Sequence, residues 1–108
     1  MVYVVNNIWY PTNKSNEVAK RYFDVLKKFP PDPSLGKTLF ILVRSTKEGI
    51  HVIGIGKPAK GKVEENLIRT TQGNEMMASI DGLTYQIDTY MDYTEAYKVL
   101  GMTAPENI

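Results

Sequence analysis

His51 is the sole histidine of the chain, and histidine is the side chain whose charge changes near neutral pH. Asp88 is the second candidate base. Grouped with Asp88 are Arg44, whose guanidinium forks onto carboxylates, the amides Asn7 and Gln86, and the ring walls Trp9, Phe40 and Tyr90. Hydrogen-bonding groups set among aromatic walls are what small-molecule pockets are made of. Trp, Tyr and Arg also enrich wet protein–protein interfaces, and the interface weighs more of the two. His51 reads as a structural or partly exposed side chain before it reads as a catalytic one. A hydrolytic triad needs a nucleophile oriented by the imidazole, and nothing around His51 suggests one.

Other chemistries are excluded or outweighed. There is no cysteine, so there is no disulfide framework, thiol nucleophile or thiolate metal site. One histidine without clustered carboxylates leaves no metal site. Gly54-Ile55-Gly56-Lys57-Pro58-Ala59 matches a dinucleotide fingerprint, but that motif runs from a parallel strand straight into a helix. Here the strand is the second arm of a hairpin, and Pro58 and Gly61 delay the helix. The glycines read instead as room on the open face of a central strand. Lys57, Lys60 and Lys62 precede a helix whose first N–H groups suit an anion, with a solvated basic loop balanced by Glu64 and Glu65 as the plainer reading.

Composition narrows the field further. The 108 residues make one domain, 43% hydrophobic and 23% charged, the balance of a folded globular chain. A net charge of +1 gives no general field for nucleic acid or anionic membrane. No apolar run approaches the roughly 20 residues of a membrane span, and MVYVVNNIWYP lacks the basic start and cleavage site of a signal peptide. The expected location is the cytoplasm, with no cofactor implied.

The elements that position these residues follow from hydrophobic period. Val2 to Tyr10 is a strand with Val2, Val4 and Ile8 on one side and Tyr3, Val5, Asn7 and Trp9 on the other, ended by Pro11. Ser15 caps a helix with Val18, Tyr22, Val25, Leu26 and Phe29 inward, stopped by Pro30-Pro31-Asp32-Pro33. Thr38 to Gly56 is a hairpin. A three-residue loop, Lys47-Glu48-Gly49, pairs Ser45 with His51 and Val43 with Ile53 and sorts an aliphatic face from a mixed one. His51 then faces the helices. A second helix starts at Val63 and is broken or capped at Gly73-Asn74, with a further turn to Ile80. Leu83 to Met91 is the last strand, and Asp92-Tyr93-Thr94-Glu95, a capping-box pattern, opens a short helix to Leu100. The domain covers residues 1–102, with a loose tail at 103–108.

This order, βαββαβ with an extra C-terminal helix, predicts an α+β, ferredoxin-like domain: a four-stranded antiparallel sheet with helices on one face and the first and third strands central. The other face shows Tyr3, Val5, Asn7, Trp9, Phe40, Leu42, Arg44, Val52, Gln86, Asp88 and Tyr90, more apolar surface than a monomer leaves in water. A symmetric second copy covers it most simply. In element order, face pattern and the segment MDYTEAYKVLGM after the fourth strand, the chain resembles the dimeric α+β barrel superfamily. That resemblance implies two subunits packed sheet to sheet. It spans cofactor-free monooxygenases, muconolactone-type isomerases, haem-degrading enzymes and stress proteins, so it selects no activity. The RNA-recognition module shares the order but stacks bases on aromatics of its first and third strands, and IHVIGIG has none.

The leading expectation is a homodimer holding a small organic ligand between its sheets, with Asn7, Trp9, Phe40, Arg44, Gln86, Asp88 and Tyr90 as the ligand-facing set. The alternative is a cofactor-independent isomerase or monooxygenase acting on a hydrophobic ring compound. It would use His51 or Asp88 as base and Arg44 or Asn7 to hold an oxyanion.

Overall fold

The computed structural model describes residues 1–106. Asn107 and Ile108, the end of the expected tail, lie outside the described residues. Strand β1 (Val2–Tyr10) leads through a 3-10 turn at Thr12–Lys14 into helix α1 (Ser15–Lys28). The hairpin β2 (Gly36–Thr46) and β3 (Gly49–Pro58) follows, then α2 (Val63–Met77), β4 (Thr84–Met91) and α3 (Tyr93–Val99). The four strands are antiparallel in the order β2-β3-β1-β4. This is the expected ferredoxin-like sheet with β1 and β3 central. Ser15 is the first residue of α1 rather than its cap; its hydroxyl donates to the carbonyl of Thr12 at 2.8 Å.

The hairpin register differs from the expected one. Arg44 pairs with His51, Val43 with Val52 and Leu42 with Ile53 across a two-residue loop, Lys47-Glu48. Thr46 holds that loop: its Oγ1 accepts the N–H of Glu48 at 3.2 Å and donates to the carbonyl of Gly49 at 2.9 Å. Gly49 sits at φ +138°, where a Cβ would stand 2.6 Å from the carbonyl oxygen of Tyr10, so this corner admits only glycine. The pairing slips once more between Thr38 and Phe40, leaving Leu39 as the extra residue of a bulge. Sorting by face fails here because both faces of the hairpin are apolar. One carries Phe40, Leu42, Ile53 and Ile55, and the other Ile41, Val43, Ile50 and Val52.

The one-residue shift inverts β3. His51, Ile53 and Ile55 pair with Trp9, Asn7 and Val5 and lie on the open face. Val52, Gly54 and Gly56, expected there, lie on the helix side opposite Ile8, Asn6 and Val4. The other open-face residues stand as expected.

Helix α2 runs unbroken through Gly73-Asn74. The reason is packing: a Cβ at Gly73 would lie 3.2 Å from Cγ1 of Val25, so the glycine lets α1 approach. Asn74 is 4% exposed and makes side-chain hydrogen bonds to Asn6 of β1. Arg21 donates to the carbonyl of Met76 at 2.7 Å and to Ser79 Oγ at 2.9 Å, tying α1 to the end of α2. The core gathers Val18, Val25, Met77, Ile80 and Leu83, with Ile8, Tyr10, Phe29 and Met76 packed against it. It leaves the β2 margin of the helix face poorly covered, with Ile41 53% and Val43 64% exposed.

Asp92 caps α3, its carboxylate accepting the N–H of Thr94 at 3.0 Å. Glu95 does not complete a capping box; it pairs with the N-terminal amine of Met1. The apolar residues Val99, Leu100 and Met102 are exposed. The radius of gyration, 15.8 Å, exceeds the ~13 Å of a compact domain of this size.

Candidate functional site

The open face divides into an apolar middle and polar ends. Val5, Ile53, Ile55, Phe40 and Leu42 run across β1, β3 and β2 in adjacent register positions. Phe40 is 59% and Leu42 52% exposed, a large share for side chains of this size in the middle of a strand.

At the end near the hairpin turn, the inverted β3 brings His51 to the residues expected to bind. Its ring stacks on Trp9 with centroids 5.0 Å apart and planes 11° from parallel. Its Nε2–H donates to Oδ1 of Asn7 at 2.8 Å. In the neutral ring this bond fixes the tautomer and leaves the Nδ1 lone pair to take a proton. Arg44 is the cross-strand neighbour of His51. Beside them opens a small cavity of about 290 Å³ lined by Trp9, Arg44, Thr46, Glu48 and His51 among others. Asn7, Trp9, Arg44 and His51 thus form one constellation.

The remaining candidates stand elsewhere. Asp88 pairs with Val5 on the far side of β1 and accepts a hydrogen bond from Gln86 Nε2 at 3.0 Å. His51 and Asp88 therefore lie on strands separated by β1 and do not act on one atom together. Tyr90 lies opposite Tyr3 at the β4 edge, and Phe40 lies on β2 at the other edge. Lys57 ends in β3, Lys60 is in the following turn, and Lys62 precedes α2. Gly54 and Gly56 sit within β3, so the dinucleotide fingerprint lacks its strand-to-helix turn. Among the described residues no three His, Asp or Glu side chains converge to hold a metal ion, and no helix is long and apolar enough to cross a membrane.

A larger cavity lies on the other side of the sheet and was not expected. It measures about 690 Å³ between α1, α2, the Pro30–Leu35 loop and β3, within the range of small-molecule sites. Two signals in the sequence point to it. Asn6 occupies the inward parity of β1 among Val2, Val4 and Ile8, and β3 carries glycine at two inward positions in succession.

No protein-family model matches the chain, and no curated protein sequence matches it. Solved structures do. A putative antibiotic biosynthesis monooxygenase from Deinococcus radiodurans is 13% identical, with a TM-score of 0.57 over 85% of this chain and 92% of that one. The de novo designed protein Foldit4 is 15% identical, with a TM-score of 0.57 over 84% of this chain and 97% of that one. What these likenesses establish is the fold: the chain has the ferredoxin-like α+β architecture.

Proposed function

We propose that the chain works as a small cytosolic homodimer, two open sheet faces packed on each other, with a small organic ligand held between them. The observation that carries this reading is the apolar run Val5, Ile53, Ile55, Phe40 and Leu42, of which Phe40 and Leu42 are exposed and the other three half-buried in the single subunit. Full burial of an exposed Phe or Leu side chain contributes up to about 1.5–3 kcal/mol, and a two-fold pairing of one surface with itself covers it without a second protein. The exposed Val99 at the end of α3 and Leu100 and Met102 just after it supply further surface for the partner. Asn7, Trp9, Arg44 and His51 make the polar end of the pocket, Gln86, Asp88 and Tyr90 its opposite margin. Native mass spectrometry of freshly purified protein tests the reading. Doubled chain mass with a retained compound supports it, and a ligand-free single chain contradicts it.

A second reading is favoured by the held imidazole. With Nε2 committed to Asn7, Nδ1 of His51 is a base set against an aromatic wall and beside a guanidinium. This is the equipment for taking a proton from a hydrophobic ring compound and steadying the resulting oxyanion. The chain would then be a cofactor-independent isomerase or monooxygenase, and the fold it shares with the Deinococcus protein adds to that reading. Loss of turnover on His51→Gln, with the dimer intact, would support it.

A further inference from the structure

Two kinds of glycine stand in the hairpin. Gly49 is required by its backbone, as its φ of +138° shows. Gly54 and Gly56 are not: both lie in regular β3 without positive φ. A Cβ on Gly54 would meet nothing nearer than 3.9 Å, and one on Gly56 nothing nearer than 3.7 Å. Glycine inside a strand weakens it, and here the backbone asks for nothing in return. What the two glycines do is keep a wall of the 690 Å³ cavity flat and empty.

We propose that this inner cavity is a binding site for an uncharged, flat ring compound that lies against the side-chain-free stretch of β3. The walls facing that stretch are apolar and aromatic: Tyr22, Val25, Leu26 and Phe29 of α1 and its end, with Ile41 and Val52 from the sheet. Its polar floor is the Asn6–Asn74 pair, both of whose residues line the cavity. Each carboxamide spends one N–H and one oxygen lone pair on the other and keeps one of each, enough to fix a single carbonyl, hydroxyl or amine edge. Among the described residues that line the cavity, no charged side chain accompanies this pair. Asp32, Lys37 and Arg69 belong to the Pro30–Lys37 end, where Arg69 donates to the carbonyl of Pro30 and lies over the ring of Phe29. An ionised group in the depth would lack a counter-charge, which selects a neutral ligand. The site is on the opposite face of the sheet from His51, so it stands or falls independently of the dimer.

The test uses two dyes with one ring system. N-phenyl-1-naphthylamine is neutral with a single N–H, and 1-anilinonaphthalene-8-sulfonate adds a sulfonate. Fluorescence titration of the full chain is expected to show one neutral dye bound per subunit, at least tenfold tighter than the sulfonate. Gly54→Val/Gly56→Val is expected to weaken the neutral dye at least tenfold while leaving the melting temperature unchanged or higher, and Leu42→Asp on the open face is expected to leave dye binding unchanged. Should the double variant not fold, Gly54→Ala gives the same comparison with one methyl. No binding, equal binding of both dyes, or binding that survives the glycine changes and is lost in Leu42→Asp would overturn the proposal.

Discussion

Asn6 and Asn74 hold each other across the sheet–helix boundary by two reciprocal hydrogen bonds. Nδ2 of Asn6 donates to Oδ1 of Asn74 at 3.0 Å, and Nδ2 of Asn74 donates to Oδ1 of Asn6 at 2.8 Å. Removing one partner leaves the other's amide without its mate. Asn74→Leu is therefore expected to cost about 1–3 kcal/mol in urea unfolding. Asn6→Leu/Asn74→Leu, which removes both polar groups together, is expected to recover most of that loss.

Gly73 and Gly54 make a contrasting pair of predictions. Alanine at Gly73 gains up to about 1 kcal/mol of helix propensity, but its methyl would stand 3.2 Å from Cγ1 of Val25 at the helix crossing. The crowding is expected to win and lower stability by roughly 1 kcal/mol. Gly54→Ala, with its methyl at ordinary contact distance, 3.9 Å, from the carbonyl oxygen of Asn6, is expected to raise stability by about 0.5–1 kcal/mol. Thermal unfolding of the two single variants checks both signs; a gain at Gly73 would show that the helices are not held at that distance.

Acid is expected to loosen α3 first. The backbone N–H of Thr94, then its hydroxyl, Tyr3 Oη–H and the N-terminal amine, hold the Asp92 carboxyl below the usual aspartate range against some desolvation. A carboxyl depressed in the folded state contributes stability that is complete above its unfolded pKa, about 3.9, and is lost as pH falls through the lower folded value. Helix signal from residues 93–99 should persist at pH 5 and decline below about pH 4, and Asp92→Asn should flatten that decline. The Hα chemical shifts of these residues report it.

Much of this was legible from residue order. The alternation of Val2 to Tyr10, the helical spacing of Val18, Tyr22 and Val25, and the proline stop after Phe29 place the elements because each has one apolar face and a clear breaker. The register of β2 on β3 was not legible, since a strand apolar on both faces carries no pattern to choose between neighbouring pairings, and Thr46 settles it locally. That slip carried His51 from the helix side to the side of Trp9 and Asn7, so the best polar constellation in the molecule could not be assembled from spacing. Gly73-Asn74 reads as a helix stop only until the tertiary partners Val25 and Asn6 are known. The inner cavity left its mark in the misfit of Asn6 and the two glycines of β3, but which face those glycines open depends on the same register.

The most direct measurement is sedimentation velocity at micromolar concentration on the natural chain and on Leu42→Asp. The natural chain should run at twice its 12.2 kDa, and the variant, with a carboxylate in the middle of the shared surface, as a folded single subunit. A natural chain that sediments as one subunit, or a variant that stays paired, would contradict sheet-to-sheet association.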